Sequence, residues 1–272
     1  MIGALPYRSP VERAWRLGFY VYCALVLLFL VGPILAIVPL SFTSGTFLSY
    51  PLPGLSLRWY VDFVESARWL PALRNSILVA SATTLVATPL GTLAALGLVR
   101  ADFALKPLIF GLLLSPMIVP VIITAIGLYF LYSPLGLINT YLGLILAHTV
   151  LAAPFVVIVV HATLVGFDKT LMRAGESLGA RPAIVFFRVV LPLIAPGVVA
   201  GAIFAFATSF DEIVTAIFLA GPTQRTLPLQ MFDGAREQIS PTINAAATLL
   251  ILVSVALLAT VELLRQRSRR LH

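Results

Sequence analysis

Charge is scarce in this chain. Only 11% of its 272 residues are Asp, Glu, Lys or Arg, and 60% are apolar, with a mean hydropathy of +1.03. A soluble globular protein carries about 25% charge, so an ordinary water-soluble domain is excluded. Cysteine is almost absent. Cys23 stands alone, which rules out an intrachain disulfide and leaves it as a small core or lipid-facing side chain. The three histidines are His148, His161 and His272. The first two are 13 residues apart, about 220° around a helix, so they share no face and set up no metal-ligand spacing. No G-x-S-x-G turn and no G-x-x-x-x-G-K-[ST] phosphate loop occurs. An intramembrane hydrolase would need Ser, His and an acid to converge at one depth, and the sequence carries no sign of it.

What the chain does have is long stretches without charge: Arg16 to Arg58, Arg74 to Arg100, Lys106 to Asp168, Arg188 to Asp211 and Glu237 to Glu262. A spanning helix takes roughly 20 apolar residues. The third stretch holds two, with the polar cluster Tyr132–Tyr141 as the turn between them. Six spans follow, near 17–42, 76–99, 108–131, 143–166, 194–220 and 242–264. The runs are too continuously apolar for alternating barrel strands, so the predicted fold is an all-α polytopic membrane bundle. Pro89, Pro116, Pro120, Pro154 and Pro196 fall in or beside these spans and predict kinks. The first span is too long for a cleaved signal peptide and lacks a cleavage site. The organisation is a segment 1–16 ahead of the bilayer, then one transmembrane domain over 17–272.

Basic residues set the orientation. Arg8, Arg13, Arg16, Arg100, Lys106, Lys169, Arg173, Arg181, Arg188, Arg265, Arg267, Arg269 and Arg270 fall on one side. Only Arg58, Arg68, Arg74, Arg225 and Arg236 fall on the other. The first set is expected in the cytoplasm with both termini. The net charge of +7 is then a topology signal, with the terminal arginines beside anionic lipid, and calls for no nucleic acid. On the outer side, Trp59, Tyr60 and Trp69 are expected as an aromatic belt at the headgroups.

Between the fourth and fifth spans the chain leaves the bilayer, over about 167–193. Leu171, Ala174, Gly175 and Leu178 recur on one helical face, with Lys169, Arg173 and Glu176 off it. Gly179 is a helix stop and Pro182 suits the first turn of the next helix. The small residues Ala174 and Gly175 favour close approach of another protein surface over contact with headgroups.

Asp211 and Glu212 are the acids set deepest in a predicted span. Charge in lipid is costly and marks function. With the span starting near Gly197, Asp211 stands about 14 residues, or roughly 21 Å, along it. Adjacent residues point about 100° apart, so one of the two is expected to face a pathway. An acidic pathway suits a cationic or amine-bearing solute.

The stretch Leu171–Gly201, with Leu178-Gly179-Ala180 and Leu191-Pro192, resembles the signature loop of permease subunits of bacterial ABC importers. Arg173-Ala174-Gly175 stands where that family has Glu-Ala-Ala, and Glu176 lies just beyond. Ser209–Leu250, Leu114–Leu128 and Ala153–Asp168 resemble the C-type subunits of spermidine/putrescine permeases. The resemblance implies a type I importer bundle with a cytoplasmic coupling helix, in which Arg173, Ala174, Gly175, Glu176, Leu178, Gly179 and Ala180 meet a separate ATPase. It implies a bacterial inner-membrane setting and, as partners, a second permease subunit, two ATPase copies and an extracytoplasmic solute-binding protein. ATP and magnesium belong to the ATPase; this chain carries no cofactor and is no enzyme. Ser209, Asp211, Glu212 and Met117 are the implied pathway residues. Met117 stands after Ser115-Pro116 where some relatives carry an aspartate, which leaves opines, aminophosphonates and other small amines open beside polyamines. The competing class is a self-sufficient secondary transporter. Such carriers often show inverted repeats, which are lacking here, and copurification with an ATPase separates the two.

Overall fold

Backbone groups in lipid have no water to bind, so each apolar run must close its own hydrogen bonds. The computed structural model, which describes residues 10–100, 103–237 and 240–270, is accordingly helical. The elements are α1 (Pro10–Leu40), α2 (Arg58–Glu65), α3 (Trp69–Arg100), α4 (Lys106–Ile118), α5 (Val121–Tyr132), α6 (Tyr141–Val165), α7 (Lys169–Ser177), α8 (Pro182–Val185), α9 (Leu191–Phe210), α10 (Val214–Leu219), α11 (Leu227–Glu237) and α12 (Pro241–Arg270). Among the described residues the only β feature is one antiparallel bridge, Thr43 to Leu55. Arg8 and His272 lie outside the described residues.

Five helical stretches are long and apolar enough to cross a membrane, and the bent pair α4–α5 makes six. That pair departs from the single span expected over 108–131. It bends by 103° at Val119-Pro120. Pro120 cannot donate a backbone hydrogen bond, and its ring disfavours helical geometry at Val119, which is extended at ψ 132°. Pro89, Pro154 and Pro196 leave α3, α6 and α9 unbroken.

The fifth span also departs from its expected 194–220. The helix begins at Pro182 and runs to Phe210, through a π-helical turn at Phe186–Val190. Pro192 explains the turn. Its ring would clash with the carbonyl four residues back in a regular α-helix. Leu191 N–H instead bonds Phe186 O, five residues back, which widens the helix there. The second half of the expected coupling loop is thus continuous with the span.

Three helices, α3, α6 and α9, pack on one another, with α6 at the centre. Of its apolar window 61% is buried, against 0% for α1. Close approach rests on small residues. A Cβ on Gly91 of α3 would sit 2.7 Å from Val156 Cβ of α6, and one on Gly201 of α9 would sit 3.3 Å from Val156 Cα. Val156 is fully buried between them. With lipid as solvent there is little hydrophobic drive between helices, so van der Waals contact at small residues carries association. Lower down, Gly197 lets α9 come against Thr163 of α6 in the same way. α1 packs on α12 and exposes its apolar side chains, Phe29 at 81% among them.

The outer end is closed by polar contacts. Asn75 Nδ2 donates to the carbonyls of Thr223 (2.9 Å) and Arg225 (2.8 Å), and its Oδ1 accepts from Tyr141 OH at 2.8 Å. Leu227 N–H donates to Ser76 Oγ at 2.7 Å, and Thr242 Oγ1 to Asp62 Oδ2 at 2.7 Å. Trp69 departs from the expected aromatic belt. Trp69 is buried beside Phe63, ring centroids 5.9 Å apart, in a cluster with Leu227 and Ala246. Trp59 Nε1 donates to Thr43 O at 2.8 Å under the Arg58 guanidinium. Both rings serve packing of the outer loop.

The Gly91–Val156 contact makes a test by contrast. Gly91→Ala forces the helices apart and is expected to cost about 1–3 kcal/mol, as overpacking does. Gly97→Ala, on the same helix with open space around its Cβ, is expected to be neutral or stabilising by up to about 1 kcal/mol. Thermal unfolding of the purified protein in detergent measures both.

Candidate functional site

Two places stand out: a break in the helix run after Phe210, and the segment around α7.

Asp211 and Glu212 lie in the break, rather than part-way along a continuous helix as expected. α9 ends at Phe210 and α10 begins at Val214. Asp211 closes α9, its N–H bonding Ala207 O at 3.1 Å. Glu212 Oε1 accepts from Thr215 N–H at 2.9 Å, so this carboxylate satisfies an otherwise unpaired N–H at the start of α10. α10 then packs on α5 and α6 through Ala216 and Leu219, and its last carbonyl, Leu219 O, accepts from Asn139 N–H at 2.9 Å.

The two acids therefore differ in what is left to them. The Glu212 carboxylate is engaged. Asp211 is exposed, and its carboxylate has no hydrogen-bond or ion-pair partner among the described residues. It also sits at the carboxyl end of a 20-residue helix, the negative pole of the macrodipole. Helix and carboxylate then add with the same sign, and among the described residues no cation pairs with Asp211.

Ser209 departs from the expected pathway position. It is 3% exposed and turned to α6, where its Oγ lies 2.8 Å from His148 Nδ1. Met117 is 43% exposed near the end of α4, beside the 103° bend. No hydrogen bond joins Met117 to Asp211 among the described residues. Of these residues, only Ser209, Asp211 and Glu212 come together, by adjacency.

The segment around α7 forms helix, bend, helix. Asp168 Oδ1 accepts from Thr170 N–H at 2.9 Å and opens α7. These hydrogen bonds hold its carboxyl below the usual range. Their contribution is therefore present above the ordinary carboxylate pKa and is lost as pH falls through the lowered one. The stop is a Schellman motif: Gly179 N–H bonds Glu176 O at 3.0 Å and Ala180 N–H bonds Gly175 O at 3.2 Å. Gly179 has φ +78°, which a side chain would resist. Pro182 opens α8.

The small residues of α7 have a different use from the one expected. A Cβ on Gly175 would meet Val185 Cγ2 at 3.1 Å, so Gly175 admits the chain's own α8. Exposed on this segment are Arg173, Ala174, Glu176, Leu178 and Gly179, with Ala180 half-buried. Leu178 is 88% exposed. Glu176 Oε1 lies 3.4 Å from Arg100 Nη2 at the end of α3. Beneath this pair is a cavity of about 430 Å³ lined by Leu96, Val99, Met172, Arg173 and Pro182.

Sequence reasoning missed Asn75, Tyr141 and His148. Asn75 and Tyr141 each open an apolar run, and a polar side chain at that edge was the available signal. His148 gave only a lone polar group in an apolar run, with its partner 61 residues away.

Residues 87–270 match the family described as binding-protein-dependent transport system inner membrane component. The chain is 32% identical over 254 residues to the spermidine/putrescine transport system permease protein PotC of Escherichia coli K12, covering 93% of this chain and 95% of that protein. It is also 32% identical to the putrescine transport system permease protein PotI of the same organism, over 89% of this chain and 88% of that one. A crystal structure of a bacterial ABC transporter involved in import of the acidic polysaccharide alginate superposes with a TM-score of 0.76 at 16% identity, covering 95% of this chain and 99% of that one; this likeness bears on fold alone. The chain belongs to the binding-protein-dependent transport family as the non-catalytic, multi-pass inner-membrane permease subunit of an ABC importer.

Proposed function

We propose that this chain lines half of the translocation pathway for a small cationic solute of the polyamine class, putrescine or spermidine, with Asp211 as its cation-facing group. The carrying observation is the exposed, unpaired carboxylate at the negative end of α9. A carboxylate there gains from a cation and repels an anion. The relatives named for spermidine and putrescine transport support the same class. Met117, uncharged beside the α4–α5 bend, favours a second reading beside that class: an opine, an aminophosphonate or another small amine with less positive charge. Glu212 caps α10 and Ser209 braces α9, so both support the pathway from behind.

In this reading a second permease subunit completes the pathway, two ATPase copies drive it, and an extracytoplasmic solute-binding protein delivers the solute. Both termini face the cytoplasm. The ATPase contact is the exposed surface of α7 and its bend, from Arg173 to Ala180. Leu178 supplies an apolar anchor there, and Arg173 a charge opposite to the glutamate of the resembling family.

Four substitutions test this. In the reconstituted importer, Asp211→Asn should cut ATP-dependent putrescine uptake at least tenfold, equivalent to about 1.4 kcal/mol in a barrier, and Glu212→Gln should cut it less. The affinity of the separate binding protein should not change. Wild-type uptake by assembled Asp211→Asn would remove Asp211 from the pathway. Gly179→Leu should leave the protein inserted but lower both uptake and solute-stimulated ATP hydrolysis, since Leu resists φ +78°; undiminished transport would refute the docking role. Met117→Asp should raise uptake of spermidine relative to putrescine, and an unaltered ratio would take Met117 out of the pathway.

A further inference from the structure

His148 is the least expected side chain in the bundle. It lies in a stretch without charged residues, Lys106 to Asp168, and is fully buried among Leu144, Ala147, Leu151 and Ala152. Its Nδ1 is 2.8 Å from Ser209 Oγ, itself 3% exposed, and its Nε2 has no hydrogen-bond partner among the described residues. A polar group so buried is costly unless bonded, so the single bond decides where this ring sits.

That bond falls at a point of choice in the fold. The apolar pattern over 194–220 allows a helix straight through Asp211, yet α9 stops at Phe210. α6 and α9 run side by side, packed at Thr163 against Gly197 and at Val156 against Gly201, and joined by the polar contact of His148 with Ser209. From Val156 and Gly201 to His148 and Ser209 each helix steps eight residues, about 12 Å. The polar tie therefore holds the last turn of α9, whose final backbone bond is Asp211 N–H to Ala207 O. Last turns fray unless held, because their carbonyls lack partners. From the other side of the break, Glu212 caps α10. Asp211 lies between two fixed points, and its carboxylate has no bond among the described residues to orient it.

We propose that His148 is a positioning residue for transport: through Nδ1 and Ser209 it fixes the end of α9 and so aims the Asp211 carboxylate. This rests on the reading of Asp211 as a pathway group. Only the Nδ1 side of the ring works, which yields a sharp chemical expectation. Asparagine carries its amide at about the position of Nδ1 and can renew the bond to Ser209. Glutamine carries its amide further out, near Nε2, where nothing receives it.

The test uses the assembled importer in a Cys23→Ser background, Cys23 being the chain's single cysteine. Asp211→Cys is introduced, and the rate of labelling by a cationic and by a neutral methanethiosulfonate is measured with and without excess putrescine. The Asp211→Cys thiol should react, and putrescine should protect it. His148→Asn should keep its labelling rate within about twofold. His148→Gln should change it at least fivefold, Ser209→Ala should reproduce that change, and the two together should change it no further. A loss of packing alone would move His148→Asn and His148→Gln alike. Equal rates in all variants, or equal defects in His148→Asn and His148→Gln, overturn the positioning role while leaving Asp211 in the pathway. A thiol that resists both reagents in every variant overturns the pathway reading and the positioning role with it.

Discussion

The contact of Val156 with Gly91 on one side and Gly201 on the other sets the distance between α3, α6 and α9. In lipid this matters more than it would in water. Apolar side chains gain little by leaving a hydrocarbon solvent, so helices hold together where their backbones come close enough for dense van der Waals contact. The three helices share the fully buried surface of α6, and both functional places hang from their ends. The break at Asp211 follows the carboxyl end of α9. The segment around α7 joins the carboxyl end of α6 to α8, with Arg100 at the carboxyl end of α3 beside it. Movement of α7 has a short, packed route to the core through Gly175 and Val185.

Electrostatics divide the two acids that lie side by side in sequence. Glu212 stands at the amino end of a helix and gives its carboxylate to a backbone N–H. Asp211 stands at the carboxyl end of another, where charge and dipole add, and its carboxylate has no hydrogen-bond or ion-pair partner among the described residues. Such a group is poorly placed for stability. It is well placed to meet a passing cation, whose binding offsets the repulsion built into the fold.

Much of this was legible in the sequence because the physics was local. Charge-free runs gave six spanning segments, Gly179 and Pro182 gave the helix, bend and helix, and Tyr132–Tyr141 gave the outer turn. The failures share a cause. The 103° bend at Pro120, the π-helical turn before Pro192 and the end of α9 at Phe210 each decide between two helical paths of nearly equal apolar pattern. The decision is taken by contacts distant in sequence, such as Ser209 with His148, or by a capping carboxylate whose role shows only once the helix has ended. Trp69 misled for a similar reason: an aromatic next to a span reads as an interfacial anchor until Phe63, Leu227 and Ala246 fold over it.

The central claim is that the importer moves a small cation on ATP hydrolysis by a partner, along a path whose charge this chain supplies. Proteoliposomes holding this chain with its second permease, ATPase and binding protein test it most directly, by uptake of labelled putrescine against neutral and anionic solutes of similar size. The account predicts uptake that requires ATP and the ATPase and that is selective for the amine. Uptake driven by an ion gradient without the ATPase, or ATP-driven uptake of the anion in preference to the amine, would contradict it.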